Sequence, residues 1–211
     1  AALVDGDVVR PLQGIVELGD ETPIEVLSDP PVGREELPLA DVRLRPLIPR
    51  PSKIVCIGLN YKAHVDEGVY DVPDYPALFI KFPDALIAAG EPITIPPEST
   101  DPDFEAELAF VIGRRVRRVS RDDAPAAVAG YTVANDITMR DYQYRTHQWL
   151  PGKTWPGTTP LGPFLVTPDE LSSHVARLLT PHKRPREVRF IDALPRNEMG
   201  KVRKPDLPRG S

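Results

Sequence analysis

Cysteine is almost missing from this chain: one thiol, Cys56, stands among 211 residues. A single thiol excludes an internal disulfide and fits a reducing compartment, the cytoplasm being the expectation. Cys56 lies in the apolar run Ile54-Val55-Cys56-Ile57-Gly58, where a small buried hydrophobe is a better reading than a nucleophile. His and Cys form no cluster in the sequence, which argues against zinc. No run of about 18 apolar residues occurs, so no membrane-spanning helix is expected. The opening Ala-Ala-Leu-Val-Asp-Gly-Asp has neither the basic flank nor the apolar core of a signal peptide.

Proline, by contrast, is plentiful, with 26 residues, and favours short strands and ordered loops over long helices. Hydrophobic content of 41% and charged content of 27% are those of an ordinary globular chain. The net charge of −5 hides an asymmetry. From His182 to Lys204 eight Lys/Arg face three acids, a local +5, and the remainder, 18 basic against 28 acidic, carries −10. An acidic body is a poor nucleic-acid surface, and the basic tail is too short to argue for one.

Along the chain, Leu3–Val9 reads as a hairpin around an Asp-Gly turn signal, and Val42–Leu47 alternates as a strand. The unbroken apolar run over Lys53–Leu59 predicts a strand buried on both faces. Asn60 is placed to cap a short helix through His64 and Glu67. Leu78–Lys81 and Glu91–Pro96 read as further strands. Ser120-Arg121-Asp122-Asp123 predicts a capped helix closing at Gly130, followed by a strand over Tyr131–Ile137. The sum is a strand-rich α+β core with short helices.

The stretch Asp103–Gly113 carries the most chemistry. Phe104, Ala106, Leu108 and Phe110 alternate with Asp103, Glu105, Glu107 and Ala109, so three carboxylates share one strand face. Like charges so close destabilise a sheet unless neutralised, and a divalent cation is a candidate beside the plainer reading of a solvated acidic edge. Asp136 ends an apolar strand, either as a turn residue or as a third carboxylate with Glu105 and Glu107. An all-oxygen shell of that kind suits Mg²⁺ or Mn²⁺. His64 and Glu67, three apart on a helix, share a face as a general-base pair requires, although a lone pair of this type is more often a surface ion pair. Lys153, between turn formers, could meet an anionic substrate or be one more solvated lysine. Arg140 and Gln143 lie close by in sequence, and Lys81, at a strand end, points to the same site.

These segments, in order, resemble the fumarylacetoacetate hydrolase family. The matching pieces are Gly58–Glu67, Pro76–Lys81, Asp103–Gly113, Gly130–Gln143, Gly152-Lys153-Thr154 and Pro160–Pro163, and the resemblance runs over roughly residues 1–171. It implies a mixed β-sandwich or β-roll with a small N-terminal strand-rich region over 1–50 and a metal-binding catalytic core over 51–171. It implies Glu105, Glu107 and Asp136 as ligands of Mg²⁺ or Mn²⁺, His64 with Glu67 as the pair that activates water, and Lys153 as a catalytic group. Lys81, Arg140 and Gln143 are the expected substrate contacts. The implied activity is cleavage of a C–C bond in acylpyruvates or related β-diketo acids by a homodimer. Oxaloacetate decarboxylation and dienedioate isomerisation on the same scaffold are the alternatives.

The basic tail, 172–211, departs from that family. His174–Lys204 resembles the extreme C-terminus of acyl-CoA synthetases and other adenylate-forming enzymes, in which the lysine at the Lys201 position reaches an acyl adenylate. No nucleotide-binding body precedes it here, so the tail reads as a remnant or fusion. The expectation is a hydrolase core incomplete at its C-terminus. A non-catalytic chimera and a ligase fragment acting in trans are the rivals from other classes.

Overall fold

The computed structural model describes residues 1–60 and 74–178. Ala1–Pro168 forms one compact unit and Asp169–Ser211 a second. Among the described residues no helix is long and apolar enough to cross a membrane.

The first unit is a set of small sheets, as its prolines require. β1 (Ala2–Asp5) and β2 (Val8–Pro11) form the expected hairpin; Gly6, at φ 57°, supplies the left-handed turn conformation. β3 (Leu37–Pro38) completes that sheet. β4 (Ile54–Gly58) pairs antiparallel with β5 (Ala77–Lys81), Cys56 opposite Phe79 and Ile54 opposite Lys81. β6 (Leu86–Ala88), β8 (Ala106–Ile112), β9 (Val128–Asn135) and β11 (Thr159–Leu161) make a mixed sheet in the order β6-β11-β9-β8. β7 (Pro102–Asp103) pairs separately with β10 (Thr138–Met139). Two one-turn helices follow, α1 (Arg140–Gln143) and α2 (Leu150–Lys153). The strand-rich α+β class therefore holds. Of the second unit, the described part is helical, within α3 (Pro168–Leu178), which has Asp169 and Glu170 in its first turn and Arg177 in its last, the favourable order for the helix dipole.

Several expected elements differ. Val42–Leu47 and Glu91–Pro96 are not strands; Pro46, Pro92 and Pro96 remove the amides a ladder needs. The Ser120 cap forms, with the Asp123 amide donating to Ser120 Oγ at 3.1 Å, yet only a single tight turn over Ala124–Ala127 follows. Val128 then enters β9, and Gly130, the expected helix stop, lies inside that strand opposite Val111. The acidic stretch is also broken. Asp103 belongs to β7, Phe104 and Glu105 bridge, and β8 begins at Ala106. Lastly, β4 is buried on one face only: Val55 and Ile57 are exposed while Ile54 and Cys56 are half-buried.

Candidate active site

Side-chain alternation turns Cys56, Phe79 and Lys81 to one face of the β4–β5 pair and Val55, Ile57, Leu78 and Ile80 to the other. Lys81, at the end of β5, is 3% exposed. A fully buried ammonium requires partners. It has two, donating to Asp136 Oδ1 and to the carbonyl oxygen of Lys153.

Asp136 follows β9 directly and is itself buried. Its amide donates to the Glu105 carbonyl at 2.8 Å, and the Glu105 amide donates to Asn135 Oδ1 at 3.2 Å. Those two bonds brace the bridge before β8 against the end of β9, which places both carboxylates at one spot. Lys153, at the end of α2 and 2% exposed, meets them there. Its Nζ lies 2.7 Å from Glu105 Oε2 and 3.0 Å from Asp136 Oδ2. Arg140, the first residue of α1, holds the other Glu105 oxygen, Oε1, at 2.8 Å and Asp103 Oδ2 at 2.7 Å. Gln143 accepts from the same guanidinium at 2.8 Å. Three cations thus face three carboxylates. Glu107 shares a face of β8 with Ala109 and is half-buried.

Gly152 allows this arrangement. A Cβ there would lie 2.7 Å from the Gln143 amide nitrogen, Gln143 Cβ and the Met139 carbonyl oxygen, so α2 can pack on α1 only with glycine at that contact. Trp149 sits over Gly58, the last residue of β4, and meets Phe79 edge-on at 5.8 Å between centroids. The segment that carries Lys153 is thereby tied to the β4–β5 pair.

The electrostatics follow from burial and pairing. Burial raises the Asp103 carboxyl, but the Arg140 hydrogen bond and the Phe104 amide outweigh it and hold Asp103 below the usual carboxylate range. Burial likewise opposes the charge on Arg140, and its bond to Asp103 with the field of Glu105 overcomes that and raises it. The Cys56 thiol is pushed up to about 11, first by burial and then by the Asp136 carboxylate, with Lys81 and Lys153 opposing. Such a thiol holds almost no thiolate at neutral pH, in keeping with a packing role.

Most of the residues singled out from the sequence are therefore brought together: Lys81, Glu105, Asp136, Arg140, Gln143 and Lys153. His64 and Glu67 lie outside the described residues. Asn135 and Gly152 were not anticipated; Asn135 had only its position beside Asp136 to announce it. Among the described residues, no three His, Cys, Asp or Glu side chains are drawn together tightly enough to chelate an ion as they stand. Two carboxylate oxygens nevertheless converge on a single ammonium, and the donors are all hard oxygens. That chemistry fits Mg²⁺ or Mn²⁺.

Comparison with known proteins bears on the same residues. Residues 53–182 match the sequence model of the family described as fumarylacetoacetate (FAA) hydrolase C-terminal. The mitochondrial oxaloacetate tautomerase of Xenopus laevis is 45% identical over 135 residues, which is 63% of this chain and 42% of that protein. A human mitochondrial oxaloacetate tautomerase is 42% identical over 138 residues, covering 64% and 44%. The chain thus spans less than half the length of these curated relatives. Among solved structures, 5-carboxymethyl-2-hydroxymuconate delta-isomerase from Mycobacterium smegmatis superposes with a TM-score of 0.64 at 33% identity, covering 80% of this chain and 61% of that one. A fumarylacetoacetate hydrolase from Exiguobacterium antarcticum gives 0.55 at 32% identity, covering 68% and 50%.

Proposed function

Because the chain belongs to the fumarylacetoacetate hydrolase family, we propose that it serves keto–enol chemistry on a small oxo-acid, at the site built from Glu105, Asp136 and Lys153. The observation that carries this reading is the convergence of Glu105 Oε2 and Asp136 Oδ2 on one buried ammonium. Glu105, Glu107 and Asp136 would hold Mg²⁺ or Mn²⁺, whose contribution is to polarise the carbonyl of a chelated oxo-acid.

The chain's own groups do the rest. Lys153 Nζ has three N–H donors, two of them directed to carboxylates, and the third serves the substrate oxygen that gains negative charge. Because the ammonium is buried, its field there is stronger than in water. To His64 and Glu67, which the family resemblance implies as the pair that activates water, this reading assigns instead the removal of the proton from the carbon beside the oxo group and its return. Tautomerase and isomerase names among the relatives support this proton-transfer reading.

Hydrolytic cleavage of acylpyruvates is the second reading, favoured by the likeness to the Exiguobacterium hydrolase. There His64 and Glu67 would activate a water instead, at the same carboxylates. The assembly carried over from the resemblance is a homodimer.

One assay separates the readings. The loss of enol absorbance is followed for oxaloacetate and for a panel of acylpyruvates, with Mg²⁺ or Mn²⁺, beside a Glu105→Ala control. Metal-dependent turnover of oxaloacetate alone, abolished in the control, is the expected result. Turnover of acylpyruvates with release of pyruvate establishes the hydrolase reading instead. Turnover that survives Glu105→Ala overturns both.

A further inference from the structure

The two converging carboxylates are held in the same way. Glu105 turns Oε2 to Lys153 while Oε1 lies 2.8 Å from Arg140 Nη1. Asp136 turns Oδ2 to Lys153 while Oδ1 accepts from Lys81. Each carboxylate thus has a front oxygen, facing the shared point, and a back oxygen held by a cation of its own. The two back cations come from different elements, the end of β5 and the start of α1, so the pattern is not a by-product of one helix or strand.

From this we propose that Lys81 and Arg140 are positioning residues, which orient the front oxygens of Asp136 and Glu105, now on the Lys153 ammonium, for a divalent cation bound beside that ammonium. The inference rests on the oxygen-ligand reading given above and deepens it. Burial supports it: Lys81 is 3% exposed, and its ammonium also donates to the Lys153 carbonyl oxygen, so it anchors the backbone of α2 as well as the carboxylate. Arg140 is anchored in turn by Asp103, at 2.7 and 2.9 Å, and by Gln143. A side chain so engaged acts through its neighbours. Partners of this kind around a metal ligand typically contribute about 10–100-fold in metal affinity.

Coulomb's law alone predicts the opposite sign. Two fixed positive charges behind the carboxylates repel an incoming cation, and removing one of them tightens binding. Positioning predicts that removal weakens it. The two accounts therefore separate on direction.

The test is Mn²⁺ binding to the full chain, read as free Mn²⁺ by electron paramagnetic resonance, with folding of each variant checked by circular dichroism. Lys81→Met is expected to weaken Mn²⁺ binding about tenfold or more, and Lys81→Arg, which keeps a charged donor, to recover most of that loss. Arg140→Gln is expected to act similarly at Glu105 and carries the test should Lys81→Met fail to fold. Affinity unchanged or tightened in Lys81→Met and in Arg140→Gln, with the wild type binding Mn²⁺, overturns the positioning role and leaves the ligand reading standing. No binding of Mn²⁺ by the wild type overturns the ligand reading, and the positioning role falls with it.

Discussion

On one side of the strand path through Glu105 and β8, Glu105 and Glu107 lie half-buried, with Glu105 paired to the sealed ammonium of Lys153. On the other side Leu108, Phe110 and Ile112 are 59%, 53% and 54% exposed, and Val133 of β9 beside them is 58% exposed. The β4–β5 pair repeats the contrast, with Lys81 inward and Val55, Ile57, Leu78 and Ile80 outward. In these two pairs of strands the charged cluster thus lies on the more buried side, beside Ile54, Cys56, Phe79 and Val111, while a row of apolar side chains faces out. On the inner side the charges satisfy one another across strands and helices. The outer apolar side chains lie next to one another, and contiguous exposed apolar side chains of this kind mark interaction surfaces when the patch is large. Stability of the described unit should accordingly depend on the ionic cluster far more than on the side chains of β8 that look like core.

The sharpest way to break this contrast is Asp136→Ala. Asp136 is the acceptor shared by Lys81 and Lys153, both nearly inaccessible to solvent. Removing it leaves Lys81 with only a carbonyl partner and Lys153 with only Glu105 among its carboxylates. Leaving a buried charge without its partner typically costs about 3–5 kcal/mol. Urea unfolding of the metal-free protein in chelator should show a loss of that size. A loss below about 1 kcal/mol would mean that the lysines find water, and the distinction between the faces would fail.

Next in size is Gly152→Ala. The added methyl meets backbone atoms of Met139 and Gln143 at 2.7 Å, and backbone gives way less easily than the tip of a side chain. Forced overpacking of this kind costs about 1–3 kcal/mol. Because α2 must shift to relieve it, the Lys153–Glu105 contact should lengthen in a crystal structure of the variant. A variant as stable as the wild type, with the 2.7 Å contact retained, would show that the packing of α2 on α1 has slack.

How far the sequence foretold all this depends on the range of the signal. The β1–β2 hairpin and the strands β4, β5, β8 and β9 were legible because Asp-Gly turns, short apolar runs and period-two alternation are local. The residue types of the site were legible as well: Glu105, Asp136, Lys153 and their neighbours stand in recognisable runs. Their pairing was not. Lys81 reaches Asp136 across 55 positions and the Lys153 carbonyl across 72, and no local pattern encodes such contacts. The unbroken apolar run of β4 misled in a particular way, since it reads as a strand covered on both faces and Val55 and Ile57 are exposed. In β8, alternation puts Phe110 and Ala109 on opposite faces and by itself does not say which face is covered. The Ser120 cap misled differently, since it is a correct local signal overruled by the pairing of Val128 with Ile112.

The smallest expected effect tests the outer face directly. Val133→Thr keeps the β-branched shape that suits a strand and exchanges one methyl for a hydroxyl, so backbone preference is nearly unchanged. In a sealed core that hydroxyl would need a partner or cost about 1–3 kcal/mol. At a position 58% exposed it meets water, and the expected change in unfolding free energy is within about 0.5 kcal/mol. Urea unfolding at several protein concentrations turns this small number into a decisive one. A loss near 2 kcal/mol whose midpoint shifts with concentration would mean that a second copy of the chain covers β8 and β9 in solution. The same loss without concentration dependence would place the cover within a single chain. A change near zero at all concentrations leaves the apolar face in water, and the ionic cluster on the opposite side as what holds these strands in place.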